Sequence, residues 1–259
     1  MTHLFSNIAY AKLNLTFDRE LFTEEYDEII IPNSEQFVSI ADQWHNMEQL
    51  NSIWKVIPVD KFDQYNQIIK DGGKEINGAT HQWRMLQLMT SNNDAGTTTS
   101  GAYWRSRNRF NDMRIKDQYA NLSIIKWIKE NIPNKRIVSI HCVCIDPNSY
   151  ATIHRDAYWG GEGNSPALDN GFYRDGFVVI NLNISSGGSP LLWSLDHEKT
   201  QPRSVNEDVY MISDYFFHAV PMVNTLRRQI RISVEPTPEL ADIIVSGTEV
   251  TIPAHYKFQ

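Results

Sequence analysis

Cysteine is scarce in this chain: two in 259 residues, Cys142 and Cys144, set two apart. So short a span closes no easy disulfide, which argues against an oxidised secreted scaffold and fits a reducing cytoplasm. A C-x-C pair without further cysteines is also poor material for a metal or redox site, and two small buried residues on one face of a strand is the better account. Long apolar runs are missing too. Nowhere do roughly 18 apolar residues follow one another, so no membrane span is expected. The N-terminal MTHLFSN has neither the positive segment, the apolar stretch nor the small-residue cleavage site of a secretory leader. Positive charge is in deficit, with Lys and Arg at 24 against Asp and Glu at 31, for a net charge of -7. Broad binding to a phosphate backbone needs a basic face, so nucleic acid is not the expected partner. The one basic cluster, Arg105, Arg107, Arg109 and Arg114 among Tyr103, Trp104 and Phe110, leaves room only for a local groove.

What is present is the composition of an ordinary globular protein, 41% hydrophobic and 21% charged, long enough for one large domain over 1–259. Residues 1–135 read as mainly helical. In 35–57, Phe37, Ile40, Ala41, Trp44, Met47, Leu50 and Trp54 recur at three- and four-residue spacing, which predicts a helix. A second amphipathic stretch, 117–131, carries Leu122, Ile125, Trp127 and Ile128 and stops before Pro133. Between them, 91–101 is rich in Asn, Gly, Thr and Ser and reads as a loop.

The texture changes at Arg136. Short β-branched runs follow, at 137–145, 150–156, 177–184, 191–195, 208–212, 216–220 and 229–235, separated by turn residues and by a Gly-rich stretch over 160–176. Many short strands at this spacing predict a sandwich or barrel, and helices followed by strands predict an α+β arrangement with the helices on one sheet face.

Within the strand half stands His154-Arg155-Asp156. A His-x-Asp by itself carries little information, since short motif matches arise by chance. Its setting raises its value. On a strand, residues i and i+2 project from one face, so His154 and Asp156 can reach one ion together, and no other histidine here has a carboxylate two positions on. His218, in a strand-like run of the same half, can supply a third ligand. Two imidazoles and a carboxylate leave adjacent positions open, which suits non-haem Fe(II) binding a chelating co-substrate and dioxygen. Zinc competes, because three protein ligands plus water also describe a hydrolytic site. An arginine that could hold the far carboxylate of 2-oxoglutarate in a bidentate pair separates the two readings. Arg228 lies ten residues after His218, with Arg227 and Arg231 beside it. Alternation groups Arg228 with Ile230, Ile232 and Val234, and Arg227 with Gln229, Arg231 and Ser233; either set can be interior, and periodicity leaves both open.

These residues in this order resemble the Fe(II)/2-oxoglutarate-dependent dioxygenases, a double-stranded β-helix (jelly-roll, cupin-like) superfamily. The segment 213–240, SDYFFHAVPMVNTLRRQIRISVEPTPEL, is similar to the aspartyl/asparaginyl β-hydroxylase group, with Asp214, His218, Arg228 and Pro238-Glu239-Leu240 at matching places. Residues 151–158, ATIHRDAY, look like the metal motif of the related cis-4-proline hydroxylases. The resemblance covers roughly 136–240, implied to be the double-stranded β-helix core; outside it, 1–135 are expected from their pattern to be helical support packed on the major sheet, and 241–259 a C-terminal extension. It implies Fe(II) held by His154, Asp156 and His218, 2-oxoglutarate anchored by Arg228 with Arg231 as the fallback, and dioxygen as the oxidant. The reaction implied is hydroxylation of an unactivated C–H bond of an amino acid, a peptidyl side chain or a similar small polar metabolite, with release of succinate and CO2. Asp156 fills the position that a halogenase vacates for chloride. One departure matters: where the group has Arg-x-His, this chain has Val179-Ile180-Asn181, so Asn181 can still hydrogen-bond a carboxylate but Val179 replaces no arginine. Arg105, Arg107, Tyr158, Trp159, Arg174 and Trp193 are the candidates for lining the substrate space. The alternatives are a zinc hydrolase on a cupin-like barrel and a cupin-like binding module without turnover.

Overall fold

A computed structural model of the chain describes residues 8–37, 83–91, 113–154, 178–185, 191–194, 203–212 and 217–251. Among them the chain is mostly antiparallel sheet with few helices. The strands are β1 (Ile8–Lys12), β2 (Glu35–Phe37), β3 (Trp83–Gln87), β4 (Met89–Ser91), β5 (Met113–Ile115), β6 (Asn134–Ile145), β7 (Ala151–His154), β8 (Val178–Asn183), β9 (Leu191–Ser194), β10 (Arg203–Val205), β11 (Val209–Ile212), β12 (Phe217–Val220), β13 (Arg227–Pro236) and β14 (Thr248–Thr251). The α-helices are α1 (Arg19–Glu25), which runs into a π-turn at Tyr26–Ile30, α2 (Ser123–Asn131) and α3 (Pro238–Ser246).

An eight-stranded sheet has the order β14-β1-β11-β8-β13-β6-β3-β2, and a four-stranded sheet the order β10-β9-β12-β7; β4 and β5 pair separately. At the centre of the larger sheet β13 is bonded on both sides, to β6 and to β8. Its alternation sorts the sheet into two faces. Ile230, Ile232 and Val234 join Cys142, Cys144, Ile180 and Leu182 in an apolar cluster with Phe22, Ile124, Ile125 and Ile128 of α1 and α2. The opposite face carries Arg227, Gln229, Arg231 and Ser233, and their cross-strand partners Ile145, Val143, His141 and Ser139 on β6. Toward that face the smaller sheet contributes Ala151, Val205 and Val220 to a cluster with Tyr10, Ile145, Tyr210 and Ile212. A polar interior therefore lies on the side away from the helices.

Local chemistry explains the helices. Asp18 caps α1 by accepting from Leu21 N at 3.1 Å, and Thr237 caps α3 by accepting from Leu240 N at 3.3 Å, with Pro238 opening that helix. α2 has no cap of its own; the Glu25 carboxylate, from the end of α1, accepts from Ser123 N at 2.5 Å and Ile124 N at 3.0 Å. It ends at Ile132, just before Pro133.

The expected helix from residue 35 is corrected at its start, for Glu35–Phe37 is a strand paired with β3; residues 38–82 lie outside the described residues. The expected 117–131 helix divides into a 3-10 turn at Asp117–Tyr119 and α2. Strands β1, β2 and β3 of the first half extend the larger sheet on both sides, and the boundary expected at residue 240 falls inside α3, whose Leu240, Ala241 and Ile244 are buried in the main apolar cluster. Cys142 and Cys144 are free and buried against the helices, as a packing role requires. No helix among the described residues is long and apolar enough to cross a membrane.

Candidate active site

Register brings the two histidines together. In the smaller sheet, His218 on β12 stands directly opposite His154 on β7, and on its other side opposite Trp193 of β9. Antiparallel partners have Cα atoms about 4.5–5.5 Å apart. His218 is buried, at 4% exposure. A bulge lies between the His218–His154 and Val220–Ala151 pairs, a distortion that re-aims a strand end near a site. Asp156 lies outside the described residues, as do Arg105, Arg107, Tyr158, Trp159 and Arg174. For His154 and Trp193 only the strand positions are described. Among the described residues no group of three His, Cys, Asp or Glu side chains forms a metal site elsewhere.

The arginines separate by face, and this corrects the expectation for Arg228. Its guanidinium leaves the polar interior and pairs with Asp27 of the π-turn, Nε to Oδ1 and Nη2 to Oδ2, each at 2.8 Å. Arg228 thus points to the side covered by the helices, in step with Ile230 and Ile232. Arg227 takes the interior position instead. It is 1% exposed, its Nη2 donates to Gln229 Oε1 at 3.0 Å, and it is hydrogen-bonded to Tyr210. Burial pulls this guanidinium below its ordinary pKa, and Tyr210 opposes that shift. Burial likewise raises Tyr210, with Arg227 and Arg231 opposing it. Gln229 Nε2 in turn donates to Asn181 Oδ1 at 2.8 Å, which sets Asn181 on the interior face with its side-chain oxygen engaged by Gln229.

A second polar row crosses the same face. Arg231 stands opposite His141 on β6 and Asn181 on β8; His141 in turn faces Gln87, and Asn181 faces Tyr210. His141 and Asn181 are each 3% exposed, while Arg231 is half-buried. Two further polar atoms of this face, Ser139 Oγ and Asn183 Oδ1, are buried without a hydrogen-bond partner among the described residues. Buried polar groups are seldom left unsatisfied, so such a lining suits a polar ligand. His141 and Tyr210 were not site candidates from sequence, and Arg227 and Gln229 entered only as members of one of the two sets that could face inward. The signal was present: α2 buries Ile124, Ile125 and Ile128 and needs an apolar partner face, which only the Ile230 set of β13 supplies.

No protein-family model matches the chain, and no curated protein matches it. Among solved structures it is similar to a prolyl-4-hydroxylase from Pseudomonas putida, at 9% identity and a TM-score of 0.31 over 85% of this chain and 100% of that one. It is also similar to an oxidoreductase of the 2OG-Fe(II) oxygenase family from Burkholderia pseudomallei, at 9% identity and a TM-score of 0.34 over 85% and 92%. A third is HygX from Streptomyces hygroscopicus, solved with nickel, 2-oxoglutarate and hygromycin B, at 8% identity and a TM-score of 0.30 over 75% and 88%. Likeness at this level decides nothing about chemistry, which has to come from the site itself.

Proposed function

We propose that this chain is an Fe(II)- and 2-oxoglutarate-dependent oxygenase of the double-stranded β-helix superfamily, hydroxylating a C–H bond of a small polar substrate. One observation carries the reading: β12 sets His218 against His154, and the next strand, β13, places Arg227 on the buried polar face of the opposing sheet. The strand order supports the jelly roll. Counting β6 to β13 as one to eight, the sheets run 1-8-3-6 and 2-7-4-5, each neighbour antiparallel.

His154, Asp156 and His218 would hold the iron, a donor set of two neutral imidazoles and one carboxylate that fits Fe(II) with open positions. When bound, the metal and 2-oxoglutarate together supply the oxidising chemistry, with dioxygen consumed and succinate and CO2 released. The rest falls to the protein. Arg227 would take the far carboxylate of 2-oxoglutarate through its planar fork, held in plane by Gln229 and Tyr210. Asn181, locked by Gln229, stiffens that network from β8. The apolar cluster of Ile145, Ala151, Val220 and Val223 excludes water at the end of the sheets where Arg227 lies, which strengthens the charge-assisted bonds there. The free thiols suit a reducing compartment such as the cytoplasm.

The test is anaerobic binding of 2-oxoglutarate to Fe(II)-loaded protein, followed by succinate release on admitting oxygen. Neither binding nor release in protein shown to retain iron would sink the reading. Zinc on elemental analysis, with no co-substrate bound, would favour a hydrolase.

A further inference from the structure

We propose that Arg231, flanked across the strands by His141 and Asn181, binds a free carboxylate of the substrate, so that the substrate is a small organic acid. The inference rests on the oxygenase reading and gives it a substrate class.

β13 places two arginines on its interior face, Arg227 and Arg231, four residues and therefore roughly 13 Å apart along the strand. A single guanidinium fork matches one carboxylate, so two at this separation suit two acids bound side by side. Their surroundings differ in a way that assigns them. Arg227 is wholly buried beside the turn that joins β12 to β13, where only a ligand enclosed by the protein can reach it. Arg231 keeps part of its surface open, so a ligand can arrive there from solvent after the co-substrate is in place. Its neighbours are polar on both sides. His141 and Asn181, both buried, border it on β6 and β8, and Gln87 and Tyr210 extend the row across five strands. An arginine within such a row donates in a low-dielectric setting, where a charge-assisted pair is stronger than in water. The smaller sheet supplies the reacting side, since His218 stands two residues from Val220, a member of the cluster that ties the two sheets together.

The experiment uses the full chain with Fe(II) and saturating 2-oxoglutarate in the absence of oxygen. The common free L-amino acids, and the carboxamide of each, are titrated in while the visible absorption of the iron and 2-oxoglutarate complex is followed. At least one free acid should perturb the spectrum, with its carboxamide binding about 30-fold more weakly, the loss expected when a charge-assisted hydrogen-bonded pair is removed. Arg231→Met should abolish that preference and leave 2-oxoglutarate affinity unchanged, which also reports that the variant is folded; Arg231→Lys should recover part of it. The proposal is overturned if acid and carboxamide bind alike, if no acid binds, or if Arg231→Met removes 2-oxoglutarate affinity, which would make Arg231 the co-substrate anchor. Failure of the oxygenase reading looks different: the wild type then forms no coloured complex before any acid is added, and both ideas fall.

Discussion

Arg228 and Asp27 form a two-point ion pair, 2.8 Å at each contact, that ties β13 to the π-turn on the helix side of the larger sheet. The pair turns Arg228 away from the space between the sheets and leaves Arg227 and Arg231 as the interior cations of that strand.

The first prediction contrasts neighbours. Arg228→Met should leave 2-oxoglutarate affinity intact and lower stability by about 0.5–1 kcal/mol, because Asp27 is 44% exposed and solvent screens the pair. Arg227→Met should weaken 2-oxoglutarate binding by about 30-fold or more. Isothermal titration of the two variants decides it, and equal losses in both would contradict the assignment.

A second concerns the metal. His218→Ala removes one of two cross-strand imidazoles, so iron content by elemental analysis should fall well below one per chain and succinate release should cease. Retention of full iron by this variant would remove His218 from the ligand set.

Glu25 caps a helix to which it does not belong. Glu25→Ala leaves Ser123 N and Ile124 N without their acceptor and should cost about 1–2 kcal/mol in urea unfolding, with 2-oxoglutarate affinity unaltered. A midpoint identical to wild type would show that water replaces the cap at no cost.

Alkaline pH should destabilise the fold through the buried thiols. Burial pushes Cys144 up to about 11 and raises Cys142 as well. Between the ordinary thiol range and pH 11 the unfolded chain has released protons that the folded chain retains, so stability is fully present below about pH 9 and declines as pH rises toward 11. The Cys142→Ala, Cys144→Ala double variant should show a shallower decline of the urea midpoint across that window. Tyr26, also raised by burial, should preserve part of the slope.

Several elements were legible from pattern alone. The β-branched runs at 137–145, 177–184, 208–212 and 229–235 became β6, β8, β11 and β13 within three residues at each end, because alternating apolar side chains suit a half-buried pleat. α2 was legible from its apolar spacing and from Pro133. Glu35–Phe37 was not. The three- and four-residue spacing that begins at Phe37 favours a helix locally, yet this segment finds its partner in β3, far along the chain, and pairing of that kind leaves no local trace.

The candidate site divides along the same line. Residue order and spacing alone determined which residue types were available: His-x-Asp, a distal histidine, and three arginines within five positions. Alternation also determined that Arg227 and Arg231 must share one face and Arg228 the other. Which face turns inward was decided only by tertiary structure. α1 and α2 bury their apolar sides on the face carrying Ile230 and Ile232, and that choice sends Arg228 to Asp27 and leaves Arg227, Arg231, His141 and Asn181 facing the other way. A strand's own period is symmetric between its two faces; only what packs against each face breaks that symmetry.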